Sequence, residues 1–339
     1  LAIINEQNYR MKGFRMLSNI SLEWEIIKGL KFKTTGGAEL GYDYNNSYIP
    51  KYKWGMNESK NTMQSIASVY EQLYLWDNIL NYDRSFGKHK LNAMVGTSYQ
   101  EYKKESVSAA GSGRASELTT ELDNATKATD VGGNSLRWAL MSYMTRLHYS
   151  FDDRYLLTAT FRADGSSKFG KDNRFGFFPS FAAAWNVANE SFMQDVKPIS
   201  QLKLRAGYGQ TGNQHIGSYT FADKLSVNGV YNFGSQRGFE SNLVDLIYPY
   251  LLSNPSIRWE AVEQYNVGID IGFLQNRIVA NIDFYKKNTI DMLTKKPVPQ
   301  TSGTSLEQGD WPPVNIGKVL NRGFEFTINT KNFIGEFKW

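Results

Sequence analysis

The chain has 339 residues, a formal charge of +5 and no cysteine, with a pI near 9.0 and a mean hydropathy of −0.46. No apolar run reaches the roughly 18 residues of a transmembrane helix, no Lys/Arg block forms a nucleic-acid arm, and disulfides are excluded. Aromatic residues make up 14% of the chain, with 20 Tyr, 20 Phe and 8 Trp, and a polar mean hydropathy is compatible with a membrane barrel, in which only alternate residues meet lipid.

The first residues, LAIINEQNYRMKG, lack the basic start and apolar core of a signal peptide, and the far end, NFIGEFKW, stops as a new strand begins. The expectation is an internal fragment of a longer chain. Phe14–Ile27 reads as the first strand, with Ile20, Leu22, Trp24 and Ile26 opposed to Asn19, Ser21, Glu23 and Glu25. After a tight turn at Lys28-Gly29, Leu30–Tyr44 repeats the pattern. A polar loop is expected from Asn45 to Met63. Gln64–Tyr82 is a strand with apolar residues on both faces. A short turn at 85–88 leads into Leu91–Glu101, and Ser106–Asn134 reads as a long loop.

Leu136–Phe151 is the next strand, and Asp152-Asp153-Arg154 a tight turn. Tyr155, Leu157, Ala159 and Phe161 then alternate with Leu156, Thr158, Thr160 and Arg162. Beyond a loop from Asp164 to Arg174 the chain returns with Phe177, Phe181, Ala183, Trp185 and Val187 on one face. Phe178 is a bulky exception on the small-residue face. Pro179 removes a ladder donor, so a bulge is expected there. Leu202–Tyr208 is a strand, and 210–254 reads as irregular. Trp259 shares a face with Tyr265, Val267, Ile269, Ile271 and Phe273. A turn at 274–277 leads to Ile278–Phe284, then a loop holding Trp311, then a strand through Phe324, Phe326 and Ile328. Period-two matches give roughly 11 strands and the start of another, and no amphipathic helix.

Connections alternate strictly between short, near 28, 85, 152, 192, 275 and 333, and long, near 54, 120, 168, 230 and 304. Short turns at one end and long loops at the other predict an all-β, antiparallel, up-and-down transmembrane barrel. Aromatics beside the short turns (Tyr82, Phe86, Tyr149, Phe151, Tyr155, Phe192, Phe273 and Phe333) fit either an interfacial girdle or ordinary cross-strand packing.

Chemical motifs are sparse. Gly207-Tyr208-Gly209-Gln210-Thr211-Gly212 matches G-x-G-x-x-G, but no helix follows, so a close-packed strand end is the better reading. His89, His148 and His215 have no metal-pair spacing. Glu260 and Glu263 fall on opposite faces of a strand, which disfavours an acid/base pair. No nucleophile elbow occurs. An enzyme is not expected, and neither a cofactor nor a metal is called for. Trp54, Tyr231, Phe233, Tyr248, Tyr250 and Trp311 lie in the long loops. They could stack on sugars or grip peptide side chains, or pack the loops against themselves.

The run RADGSSKFG…NRFGFFPSFAAAWNVANESFM resembles the barrel signature of the SusC/RagA family of TonB-linked outer-membrane transporters. YDRSFGKHKLNAMVGTSYQ, LKLRAGYGQTGNQ, NPSIRWEAVEQYNVGIDIGFLQNRIVANIDFYKKNTIDML and NIGKVLNRGFEFTINTKN extend the resemblance. The residues that carry it as structural markers are Arg162, Asp164, Gly165, Ser166, Ser167, Asn254, Pro255, Trp259, Glu260, Asn321, Arg322 and Gly323. The resemblance implies a plugged barrel of about 22 strands, of which residues 1–339 would supply about half, without plug or closing strands. It implies import of oligosaccharides or oligopeptides, a SusD/RagB-like lipoprotein as cap, energy from TonB–ExbB–ExbD through the plug, and an outer-membrane location. A passive porin or surface adhesin on the same barrel is the alternative.

Overall fold

A computed structural model describes residues 8–116, 119–222, 224–232, 243–299 and 311–332. In chain order the strands are β1 (Asn8–Ile27), β2 (Leu30–Ile49), β3 (Tyr52–Trp54), β4 (Asn57–Ser59), β5 (Met63–Phe86) and β6 (His89–Ser112). There follow β7 (Lys127–Phe151), β8 (Tyr155–Ser166), β9 (Phe175–Asn186), β10 (Ile199–Asn213), β11 (Lys224–Asn232) and β12 (Leu243–Leu251). The last are β13 (Glu260–Phe273), β14 (Ile278–Ile290), β15 (Leu293–Lys295), β16 (Pro313–Asn315) and β17 (Val319–Thr330). Among the described residues the only helical pieces are single 3₁₀ turns.

Eleven strands form one sheet in the order β1-β2-β5-β6-β7-β8-β9-β10-β13-β14-β17, so each strand lies beside its neighbour in the meander. The pairs β3–β4, β11–β12 and β15–β16 are small hairpins within three of the long connections. The expected alternation of turns and loops holds for most connections: β1–β2, β5–β6, β7–β8 and β13–β14 are joined by tight turns, whereas 50–62, 113–126, 214–259 and 291–318 are long. It fails around β9, where the connection 187–198, expected to be short, carries two 3₁₀ turns and is longer than 167–174, expected to be long; the turn expected near 333 lies outside the described residues. Asp152 and Asp153 both adopt positive φ (53° and 52°), with the Arg154 amide donating to the Phe151 carbonyl at 2.9 Å. That is a type I′ turn, whose twist matches the strands it joins.

The strands are longer than their alternation. β2 continues past Tyr44 to Ile49, β6 past Glu101 to Ser112, and β7 begins at Lys127 rather than Leu136. A backbone ladder needs no apolar face, so where both faces are polar the period-two signal ends before the hydrogen bonds do. The expected bulge at Pro179 is absent. Pro179 pairs regularly with Phe161, while the β9–β10 ladder ends one residue earlier at Ser180. A missing donor is tolerated at such a ladder end.

Side-chain exposure separates the two faces. Ile20, Leu22, Trp24, Trp76, Val95, Leu157, Phe177, Phe181, Val267, Phe284 and Phe324 are all exposed, and all lie on the apolar face. A water-soluble sheet would cover this stripe, since burial of each such side chain contributes about 1.5–3 kcal/mol. Among the described residues the fully buried side chains are instead few.

The sheet carries two compact units, Leu1–Leu22, Thr34–Asp77, Ser98–Leu140 and Glu23–Lys33, Asn78–Thr97, Met141–Trp339. In the first, the polar face gathers around Glu71. Its carboxylate accepts from Tyr102 (3.0 Å) and pairs with Lys104 (3.0 Å) and Arg15 (3.4 Å). Leu75 sits beside Gly37 on this same face, so β5 does place apolar residues on both sides.

In the second unit, aromatics beside the tight turns form a row. Phe86 stacks on His89 (5.2 Å), His89 meets Phe151 at a tilt (4.9 Å), Phe151 stacks on Tyr155 (6.4 Å) and Tyr155 on Trp185 (6.3 Å). Glu190 anchors its end. It accepts from Tyr155 (2.7 Å) and Trp185 Nε1 (3.0 Å) and pairs with Arg154 (3.0 Å). The Tyr155 hydroxyl, then Trp185, hold the Glu190 carboxyl below its ordinary range against the opposing effect of burial. A carboxylate depressed on folding stabilises the fold above its unfolded pKa and loses that contribution as pH falls through the folded one. Thermal stability is therefore expected to fall as pH drops below about 4.3, the unperturbed Glu value. Glu190→Gln is expected to be less stable at neutral pH and to show a shallower acid slope, as read by melting curves across that range. Identical slopes would exclude Glu190 as a contributor.

Candidate functional site

At the long-loop end of the second unit lies a knot built around the segment Asn254–Glu260. Trp259 was expected to point with Tyr265 and Val267. However, β13 begins only at Glu260, and Trp259 is turned inward, 9% exposed. Its ring packs against Phe169 (5.1 Å) and edge-on against Phe178 (5.5 Å), and its Nε1 donates to the Arg174 carbonyl at 3.0 Å. This accounts for Phe178, the bulky exception on a small-residue face: it lies over Gly176 and Gly212, where any side chain would collide with its ring. Phe169 and Ile257 are fully buried beside it.

The same segment holds three long connections. Toward the β8–β9 loop, the Pro255 carbonyl accepts from Asn173 Nδ2 (3.4 Å). Toward the β10–β13 connection, Asn254 N donates to the Thr220 carbonyl (3.2 Å) and Asn213 Nδ2 to Glu260 (3.1 Å). Toward the β14–β17 loop, Glu260 accepts from the Leu293 amide (2.8 Å) and Asn254 Nδ2 donates to the Pro313 carbonyl (2.8 Å). Arg258 forms a two-pronged pair with Asp291 (2.7 and 3.0 Å), and Asn315 Nδ2 bridges the carbonyls of Arg258 and Asp291. The Arg258 hydrogen bond holds the Asp291 carboxyl below its usual range, and Arg258 is raised in turn.

The sequence markers thus fall into two groups. Asn254, Pro255, Trp259 and Glu260 lie in the knot. Nearby, the Arg162 Nε donates to both Asp164 oxygens (2.7 and 2.8 Å), Gly165 leaves room for the Phe175 ring, and buried Ser166 caps the Lys168 amide (3.2 Å). Ser167 follows in the same loop. Asn321, Arg322 and Gly323 sit apart on β17, opposite Lys287, Lys286 and Tyr285, with the Tyr285 ring over Gly323. Phe169, Arg258, Asp291 and Asn315 complete the knot and were not singled out from the sequence. Asp291 has φ 53°, a conformation Asp tolerates, yet nothing in the chain announces its partner 33 residues away.

The loop aromatics are dispersed. Trp54 ends β3, opposite Asn57. Tyr231 lies on β11 opposite Val244, and Tyr248 and Tyr250 on β12. Trp311 is half-buried just before β16. Phe233 lies outside the described residues. The G-x-G-x-x-G run lies wholly within β10 and opens no helix. Among the described residues no group of three metal-binding side chains occurs.

The family model "TonB dependent receptor-like, beta-barrel" matches residues 4–339. TonB-dependent receptor P3 of Formosa agariphila is 33% identical over all of this chain and 33% of its own length. TonB-dependent receptor SusC of Bacteroides thetaiotaomicron is 30% identical, again over all of this chain and 33% of its own length. The chain spans about a third of the length of these curated relatives. The solved RagAB peptide transporter superposes with a TM-score of 0.85 at 24% identity, over 98% of this chain and 35% of that one. The chain belongs to the TonB-dependent receptor-like β-barrel family of the outer membrane, and its exposed apolar stripe is the face that meets lipid.

Proposed function

We propose that the protein carrying this barrel imports an oligosaccharide or oligopeptide across the outer membrane. A SusD/RagB-like lipoprotein covers its long-loop end, and TonB–ExbB–ExbD supplies the energy. The observation that carries this reading is the similarity of the whole chain to SusC, reinforced by the fold shared with the RagAB peptide transporter. The long connections would present Trp54, Tyr231, Phe233, Tyr248, Tyr250 and Trp311 to the ligand, those between β10 and β13 and between β14 and β17 being fastened by the Asn254–Glu260 knot. Rings on fixed loops grip sugars or peptide side chains with little ordering cost. The chemistry is binding and release, with no bond broken.

Whole-cell uptake of labelled oligosaccharides and oligopeptides tests the proposal. Deleting the gene is expected to abolish uptake of one class, and collapsing the proton-motive force is expected to do the same. Uptake that survives the protonophore would identify passive diffusion and overturn energised import.

A further inference from the structure

One rung of the lipid-facing surface breaks the pattern around it. On β13 the apolar face runs Phe273, Ile271, Ile269, Val267 and Tyr265; on β14 it runs Ile278, Ala280, Ile282 and Phe284; on β17 it runs Ile328, Phe326 and Phe324. The register aligns these as Ile269–Ile282–Phe326 and Val267–Phe284–Phe324. The next rung is Tyr265–Lys286–Arg322. Lys286 and Arg322 are therefore cations directly opposite each other, on the same face as exposed Phe284 and Phe324, and both are exposed.

Like charges directly opposite on adjacent strands are destabilising. Among the described residues neither forms an ion pair or a side-chain hydrogen bond. The nearest acid on this face, Glu263, lies one rung further on opposite Asn288 and pairs with neither. The acids of the opposite face, Asp283 and Glu325, are turned away from the pair.

The height of the rung suits a headgroup. Lys286 lies eight residues from Ile278, where β14 leaves its tight turn. At about 3.4 Å per residue and a tilt of about 35–45°, that is roughly 20 Å of rise. The apolar band of such barrels is about 25 Å tall, so the pair stands near its long-loop edge. Tyr265, in ring contact with Tyr208 (4.9 Å), marks the same level with the amphipathic aromatics favoured at a membrane interface.

We propose that Lys286 and Arg322 together hold the phosphate of an anionic lipid in the outer leaflet. Arg322 offers a planar fork that matches two phosphate oxygens, and Lys286 offers a point charge. One anion between them turns a repulsive rung into an attractive one, with its acyl chains lying along Phe284 and Phe324. The site is independent of what the barrel transports.

The full-length protein, extracted from outer membranes in mild detergent, is tested by mass spectrometry of co-purifying phospholipid and phosphoglycolipid. Heat-modifiable migration checks that each variant is folded. Lys286→Gln and Arg322→Gln are each expected to retain about fivefold less phosphate-bearing lipid, and the double variant about 25-fold less, at the usual worth of a basic side chain near an anionic membrane surface. Lys287→Gln, one residue along and on the opposite face, is expected to match wild type. Equal lipid in the double variant, or an equal loss with Lys287→Gln, would overturn the site. Inorganic phosphate recovered in place of lipid would overturn the lipid assignment.

Discussion

Ile269→Arg is expected to block assembly of the barrel, whereas Thr327→Arg is expected to be nearly silent. Ile269 is the middle residue of the outward run from Tyr265 to Phe273, flanked across the ladder by Leu204 and Ile282. A cation at mid-depth on the lipid face costs about 2–4 kcal/mol, and the cost shrinks toward the interfaces. No acid lies on that rung to receive it: Leu204, Ile269, Ile282 and Phe326 are all apolar. Thr327 stands one residue away in register, opposite Asn281, on the polar face. There Arg205 already pairs with Asp270 (2.7 Å) and Asp283 (3.1 Å), and Asn281 donates to Asp270 (2.8 Å). A second guanidinium would join a face already organised around carboxylates. Folding yield into lipid vesicles, read as the heat-modifiable fraction, measures both variants. Equal yields would mean that the two faces are reversed or that neither meets lipid.

That contrast rests on a signal visible in the residues alone. Alternation at Tyr265–Phe273, Tyr155–Phe161 and Ile20–Ile26 marks which side chains meet lipid, because lipid contact constrains every second position. The sheet order follows from the turns, since tight connections force antiparallel neighbours. Three things were less legible, each for a physical reason. Strand ends at Ile49, Ser112 and Lys127 lie where no face is apolar, so pattern cannot find them. The inward turn of Trp259 depends on a strand beginning one residue later, and a single-residue offset reverses a side chain's face. The Arg258–Asp291–Asn315 clamp joins residues far apart in the chain, and a polar pair has no periodicity to betray it.

Trp259→Ala is expected to loosen the long-loop end while leaving the ladder intact. The side chain fills a site bounded by Phe169 and Phe178, with Gly176 close to its ring. Truncating a buried Trp costs about 3–5 kcal/mol through lost burial and the cavity left behind. The cost falls locally, because the β8–β9 and β10–β13 ladders draw on hydrogen bonds that Trp259 does not make. The Arg174 carbonyl also loses its indole donor. The 167–174 loop, held by Phe169 and by that bond, is then free to open. Limited proteolysis is expected to cut near Lys168, Lys171 or Arg174 in the variant and not in wild type, with heat-modifiable migration unchanged. Trp259→Phe keeps most of the packing and loses only the hydrogen bond, worth about 1 kcal/mol, so it is expected to resist cleavage almost as well as wild type. A Trp259→Ala protein that resists proteolysis equally would show that the Arg258 and Glu260 bonds hold the rim alone, and that the aromatic cluster fills space without fastening the loops.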